Sequence, residues 1–322
     1  MWHVLPQAVE IRTYCLGMGR SSGREALDGS LATLCATPSA TGLEEVQARW
    51  RDVDLAFQST RAGGVGPAID RRLMVSVGFR SRADEVEALV AGDGALDPAA
   101  LGAAGAGVHG IYAVEVAVFG PTAAALTTAA GARRCTFARS ATQLATTASL
   151  QVLDDWTGPD DVATFVRGMD GERQSSVSAL VNEVSFRLQQ VDDQGLRGIT
   201  EATDYDDLPD SRTEGPAAHG LAALRAVMGG VAAIVDGPDE RPDLVALVRE
   251  RSPGTADRLE SLMGAALQAV SALPDSIAAS FSDRPTVVRA QQAVAALKVL
   301  VTTEVASQLG VTIGFSDADG DS

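Results

Sequence analysis

Apolar residues recur along this chain at intervals of three and four, the spacing that lines one face of an α-helix. Leu43, Val46, Trp50, Val53 and Phe57 form one such stripe, and Thr41 with Glu44 carries a capping-box signature at its start. Val177, Leu180, Val184, Leu188 and Val191 form a second stripe, and Leu259, Met263, Ala266, Val270 and Leu273 a third, which Pro274 kinks or ends. The longest runs from Val287 through Ala290, Val294, Leu297, Val301 and Val305 to Leu309. Ser81-Arg82-Ala83-Asp84 opens a shorter helix carrying Val86 and Leu89. No alternating strand pattern stands beside these stripes, so the pattern predicts an all-α chain.

Breaks fall at Gly63 to Pro67, Ala91 to Gly94, Gly102 to Gly107 and Thr157-Gly158-Pro159. A long acidic loop is expected over Thr203 to Pro216, and a short linker over Asp236 to Pro242. No period of 20–50 residues signals a solenoid. These lengths fit two packed helical bundles, residues 1–158 and 159–322, with a cleft between them.

Composition sharpens that picture. Aromatic residues make up only 4 % of the chain, yet 46 % is hydrophobic and glycine occurs 32 times. Such a sequence reads as close-packed helices rather than a β-sandwich. The net charge of −16 argues against nucleic-acid or anionic-membrane partners, which need clustered Lys and Arg. Lys298 is the only lysine. The most apolar run, Leu221 to Val235, carries Arg225 and falls short of the ~20 apolar residues of a membrane span. Met1-Trp2-His3 lacks the basic and apolar regions of a signal peptide. Three cysteines are too few for a disulfide scaffold. Cys35 and Cys135 form a bridge in an oxidising compartment, or all three are small buried hydrophobes; Cys15 is left free.

The segment with the most chemical content is Gly110-Ile111-Tyr112-Ala113-Val114-Glu115, continuing through Val116 to Phe119 and Gly120. It resembles the signature of the imelysin family, G-x-H-x-x-E followed by apolar residues and a glycine, with Tyr112 in the histidine position. His and Glu three apart share a helix face and can grip one metal ion. A phenol is the poorer ligand at neutral pH, because tyrosine titrates near ~10. Arg49 to Phe57 is similar to the family's first amphipathic helix, Gly66 to Arg72 to the turn after it, and Leu309 to Phe315 with Asp319-Gly320-Asp321 to its tail. Where many relatives carry S-G-R-S, this chain has Ala217-Ala218-His219-Gly220.

The resemblance implies an exported, periplasmic or cell-envelope protein, its leader removed ahead of Met1. Relatives are described as peptidase-like and as iron-regulated proteins linked to metal uptake. The partner it implies is a small ligand, a metal (iron or another) or an exported protein. Tyr112, Glu115, His109 and His219 are the candidate ligand- or metal-binding residues, with Gly110 and Gly120 as motif glycines. Glu115 reads as a metal ligand or polar anchor of the cleft, or as a buried glutamate satisfied by an arginine. Tyr112 hydrogen-bonds Glu115, supplies a phenolate to a hard metal, or packs with its hydroxyl satisfied. With three histidines, no H-E-x-x-H, no nucleophile elbow and no P-loop, a catalytic set does not assemble. Asp317, Asp319 and Asp321 lack the twelfth-position glutamate of a calcium loop and read as a solvated tail. A non-catalytic, ligand- or metal-associated role is therefore expected. The alternatives are a metal-dependent peptidase using Glu115 and a structural partner-binding bundle.

Overall fold

The computed structural model describes residues 21–158, 165, 176–203, 215–237 and 243–314. Among the described residues every regular element is helical. Cys15, His3, the acidic tail and most of the expected 203–216 loop lie outside them.

Helices α1 (Ser21–Ala36) and α2 (Ala40–Thr60) form the first antiparallel pair. The cap of α2 differs from the capping-box expectation. Ser39, in extended backbone, accepts from Gly42 N–H at 3.1 Å, so the helix begins at Ala40, ahead of Thr41. Two single helical turns, Pro67–Asp70 and Leu73–Ser76, lead to α3 (Ala83–Ala91) and α4 (Pro98–Ala104). Asp97 caps α4, and Pro98 sits in its first turn, where a missing N–H costs nothing. Because of that cap, α4 runs through Gly102, and the break expected from Gly102 onward starts instead at Gly105 (φ +105°).

Helix α5 (Ile111–Phe119) is buried on almost every side; only Tyr112 and Phe119 stay partly open. The 26-residue α6 (Ala132–Thr157) packs against it. Then come α7 (Ser176–Gln189), α8 (Arg197–Glu201), α9 (Gly220–Val235), α10 (Leu244–Arg249), α11 (Pro253–Ser271), α12 (Ile277–Ser282), α13 (Arg284–Leu300) and α14 (Ala306–Leu309).

The long stripes of the second half are not uniform α-helix. A π turn, Gln190–Leu196, joins α7 to α8, and another, Val301–Val305, joins α13 to α14. The first has a visible cause. Asp192, 1 % exposed, accepts from Lys298 Nζ at 2.6 Å and from Gln291 at 3.3 Å. A buried carboxylate needs such partners, and the chain's sole lysine supplies charge together with Arg197, 3.4 Å from the same oxygen as Lys298.

The apolar side chains gather into two clusters. One contains Leu27, Leu31, Leu34, Trp50, Phe137 and Trp156 among others; the second contains Val184, Leu188, Met228, Val231, Leu259 and Val294. Each is mostly local in sequence, but Ala62 packs in the second, while Leu180 and Ala217 pack in the first.

Cys35, near the end of α1, is disulfide-bonded to Cys135, in the first turn of α6, across a sequence separation of 100. Closing a loop of that length stabilises the fold by ~4–5 kcal/mol on the chain-entropy model. Thiol titration of denatured, unreduced protein should therefore find one reactive cysteine, Cys15, and Cys35→Ser/Cys135→Ser should unfold at markedly lower urea. Three titrating thiols would show the bridge to be absent.

Candidate functional site

The site begins with how α5 is held. Trp50 Nε1 donates to the Ile111 carbonyl at 2.7 Å, and Gln47 Nε2 donates to the Val118 carbonyl at 2.7 Å. Two side chains of α2 thus fix α5 near both ends. Gly110 supplies a third restraint at the N-cap. Its φ is +84°, and a Cβ there would lie 2.6 Å from the Val77 carbonyl oxygen, which accepts from Ile111 N–H at 2.9 Å. Any side chain would have to push backbone aside, so this motif glycine is fixed by packing and conformation together.

Held this way, α5 presents Tyr112 and Glu115 to a buried polar cluster. Tyr112 does not bond Glu115. Its hydroxyl donates to Asp54 Oδ1 at 3.3 Å and accepts from Gln58 Nε2, which also donates to Asp54 Oδ1 at 3.1 Å. Glu115 takes its bond from the other half of the chain: Ala217 N–H donates to Oε1 at 3.0 Å. Gly215 crosses so close that a Cβ would come within 2.5 Å of the same oxygen. His219, N-cap of α9, stands edge-on to Trp50, with Nε2 buried, unpartnered and 3.9 Å from Asp54 Oδ2.

Two acids here hold their protons tightly. Burial pushes Asp54 to about 6, against the lowering effect of its bonds from Gln58 and Tyr112. Burial likewise pushes Glu115 to about 7, opposed by the Ala217 N–H and reinforced by the nearby Asp54. Burial raises the Tyr112 phenol too, helped by Asp54. His219 moves down, through burial and then Arg51. The imidazole is therefore neutral near pH 7, and its approach to Asp54 is no ion pair.

The cluster continues toward the second half. Arg61 donates to Gln58 Oε1 at 2.9 Å and to Gln190 Oε1 at 3.2 Å. Arg187 donates to the same Gln190 oxygen at 2.6 Å, to the Arg61 carbonyl at 3.1 Å and to Glu183 at 2.7 Å. A hydrogen-bonded chain thus runs from Asp54 to Glu183, linking residues that border both apolar clusters.

Of the residues singled out from sequence, Tyr112, Glu115 and His219 converge here. His109 lies in the turn before Gly110, and its Nδ1 is buried without a hydrogen-bond partner. Gly120 caps the end of α5. Glu115 accepts from a backbone N–H, and the charge of Arg80 also lowers its proton affinity. Asp54 and Gln58 escaped the sequence reading. Their signal was there: both continue the i+4 ladder from Val46 and Trp50, so two polar side chains occupy a core-facing stripe.

The donor set does not fit a metal centre made of protein ligands. Among the described residues no three His, Cys, Asp or Glu side chains come together as a metal-holding group. Burial makes the Tyr112 phenol harder to ionise than a free one.

Comparison with known proteins adds the lineage. The imelysin family model matches residues 21–303. A crystal structure of an imelysin-like protein from Psychrobacter arcticum 273-4 superposes with a TM-score of 0.74 at 16 % identity, covering 96 % of this chain and 98 % of that one. One described as an iron-regulated protein A precursor from Parabacteroides distasonis ATCC 8503 gives 0.72 at 15 % identity, with 94 % of each chain covered. No curated protein matches the chain.

The raised acids make stability depend on pH. A carboxyl that holds its proton more tightly folded than unfolded favours the folded state at low pH, and that contribution is lost as pH rises through its folded pKa. Asp54 and Glu115, with folded values of about 6 and 7, should therefore each lower stability between pH 4 and pH 8, by on the order of 2–3 kcal/mol apiece. His219, shifted down, works in the opposite sense below its ordinary range. Urea unfolding at pH 5 and pH 8 should show a decline that Glu115→Gln and Asp54→Asn each reduce. An unchanged slope in both variants would contradict the assignment.

Proposed function

This chain belongs to the imelysin family, and on that premise we propose that it is an exported, non-catalytic, ligand-associated protein. In this reading it consists of two helical bundles, residues 1–158 and 159–322, and recognises its ligand where Tyr112, Glu115, Asp54 and His219 meet between them. The observation that carries the reading is the make-up of that cluster. Two protonatable carboxyls, a phenol and a neutral imidazole with a free Nε2 offer hydrogen-bonding groups of both kinds in a place shielded from water. No activated nucleophile stands among them, and the donors fall short of a metal centre. A buried imidazole nitrogen without a partner is costly to the empty protein and is relieved by a ligand donor or acceptor.

Export is supported by the Cys35–Cys135 bridge, which suits an oxidising compartment. No described helix is long and apolar enough to cross a membrane. The link to iron comes from the iron-regulated precursor that shares the fold, and we extend it to this chain as part of the proposal. The two apolar clusters support the division into bundles, with Ala62, Phe165, Leu180 and Ala217 among the residues that cross it.

A second reading, a metal-dependent peptidase, draws on one observation. A carboxyl at about 7 has the proton affinity of a general base working at neutral pH. One set of titrations separates the two. Protein purified without chelators should carry no stoichiometric metal, should bind zinc only weakly by calorimetry, and should not cleave peptides when metal is added. Tyr112→His should strengthen zinc binding by roughly tenfold or more, because a neutral imidazole is a ready ligand beside Glu115 and Asp54. Tight one-to-one zinc in the unmodified protein, abolished by Glu115→Gln, would overturn the non-catalytic reading in favour of the peptidase.

A further inference from the structure

Away from this cluster, α1 and the first half of α6 border an open groove of about 780 Å³. Glu25 and Asp28 line it from α1; Thr136, Arg139, Gln143 and Thr147 line it from α6. The bridged Cys35 and Cys135 also line this space.

The two sulfurs are not equivalent. Cys35 is partly exposed and sits one residue from the C-terminal end of α1, where carbonyl oxygens make the surroundings negative. Cys135 is only 6 % exposed and sits in the first turn of the 26-residue α6. No side chain caps that helix, and its first N–H, that of Ala132, already donates to the Ala129 carbonyl. Arg139, one turn further along, faces the same groove and adds a positive charge. The more exposed Cys35 is thus the half of the bond that a nucleophile reaches first, and Arg139 is the cation nearest along the helix to the sulfur that leaves.

From this asymmetry we propose that the groove is a thiol–disulfide exchange site, modified at Cys35 by a low-molecular-weight thiol that is neutral or cationic. An incoming thiolate attacks Cys35 Sγ and forms a new S–S bond as the Cys35–Cys135 bond breaks. The electron pair leaves on Cys135 Sγ, which then takes a proton from solvent. The incoming sulfur is oxidised to the mixed-disulfide level and Cys135 is reduced to a thiol, so no other oxidant or reductant is needed. The preference for cationic thiols follows from the rim. Asp28 pairs with Arg139 at 3.8 Å, which leaves Glu25 as surplus negative charge on a chain of net charge −16. Exchange releases the end of α1 from the start of α6, while Leu27, Leu31 and Leu34 keep α1 docked through the core.

The test uses the whole chain carrying Cys15→Ser, so that only the bridged pair can react. Folded protein is treated with cysteamine, 2-mercaptoethanol or mercaptoacetate at equal thiolate concentration, quenched with iodoacetamide and mapped by peptide mass. The adduct should lie on Cys35 and the alkyl group on Cys135. Cysteamine should react roughly threefold or more faster than mercaptoacetate at low salt, a ratio that Glu25→Gln/Asp28→Asn should shrink. Arg139→Leu should slow all three. Adducts mainly on Cys135, or no reaction until the protein is denatured, would overturn the assignment. Equal rates for the three thiols would overturn the charge preference.

Discussion

Placing the carboxylates of Asp54 and Glu115 among apolar side chains is the constraint on which the rest of this fold depends. Each acid needs hydrogen bonds there, and burial raises the proton affinity of both. Those bonds come from elements far apart in sequence: Gln58 on α2, Tyr112 on α5, and the backbone of Ala217 ahead of α9. The cluster exists only when all three arrive in register. Trp50 and Gln47 fix α5 along α2, Gly110 lets the chain enter α5 beneath the Val77 carbonyl, and Gly215 brings the later strand of backbone against Glu115. The polar chain through Arg61, Gln190 and Arg187 then carries the same demand for exact pairing into the second apolar cluster. Buried networks of this kind specify one arrangement because a partly satisfied version is worse than none.

Much of the fold was legible from residue spacing. The stripes of α2, α7, α11 and α13 are core faces as written, since burial of an apolar face is what stabilises a helix of this length. The π turns were not legible. The first holds Asp192, whose partner Lys298 lies 106 positions away, and the hydrophobic period of each helix runs on unchanged. The start of α2 was missed by two residues for a local reason, because Ser39 and Thr41 both offer a capping hydroxyl and Ser39 adopts the extended backbone a cap requires, while Thr41 lies inside the helix.

The site was half legible. Gly110, Tyr112 and Glu115 announce themselves as a motif, and the position of Ala217 to His219 followed from aligning the helix behind it. What spacing could not give is which partner each side chain chooses. Tyr112 and Glu115 lie one turn apart, yet Tyr112 turns to Asp54 on α2 and Glu115 to a backbone N–H over 100 residues later. A metal bridging positions 112 and 115 would draw these side chains together. Here each side chain has its own hydrogen-bond partner, and the proposed role in ligand recognition follows from the protonatable groups of the cluster.

The account is tested most directly by following the two acids themselves. Carbon-13 resonances of the Asp and Glu side-chain carboxyls, titrated from pH 3 to pH 9 in the folded protein, should include two with midpoints near 6 and 7. The first should vanish in Asp54→Asn and the second in Glu115→Gln, with the surviving acid shifting downward as its neighbour's charge is removed. If every carboxyl in the folded protein titrates in the ordinary range near ~4, the buried polar cluster described here does not exist in solution.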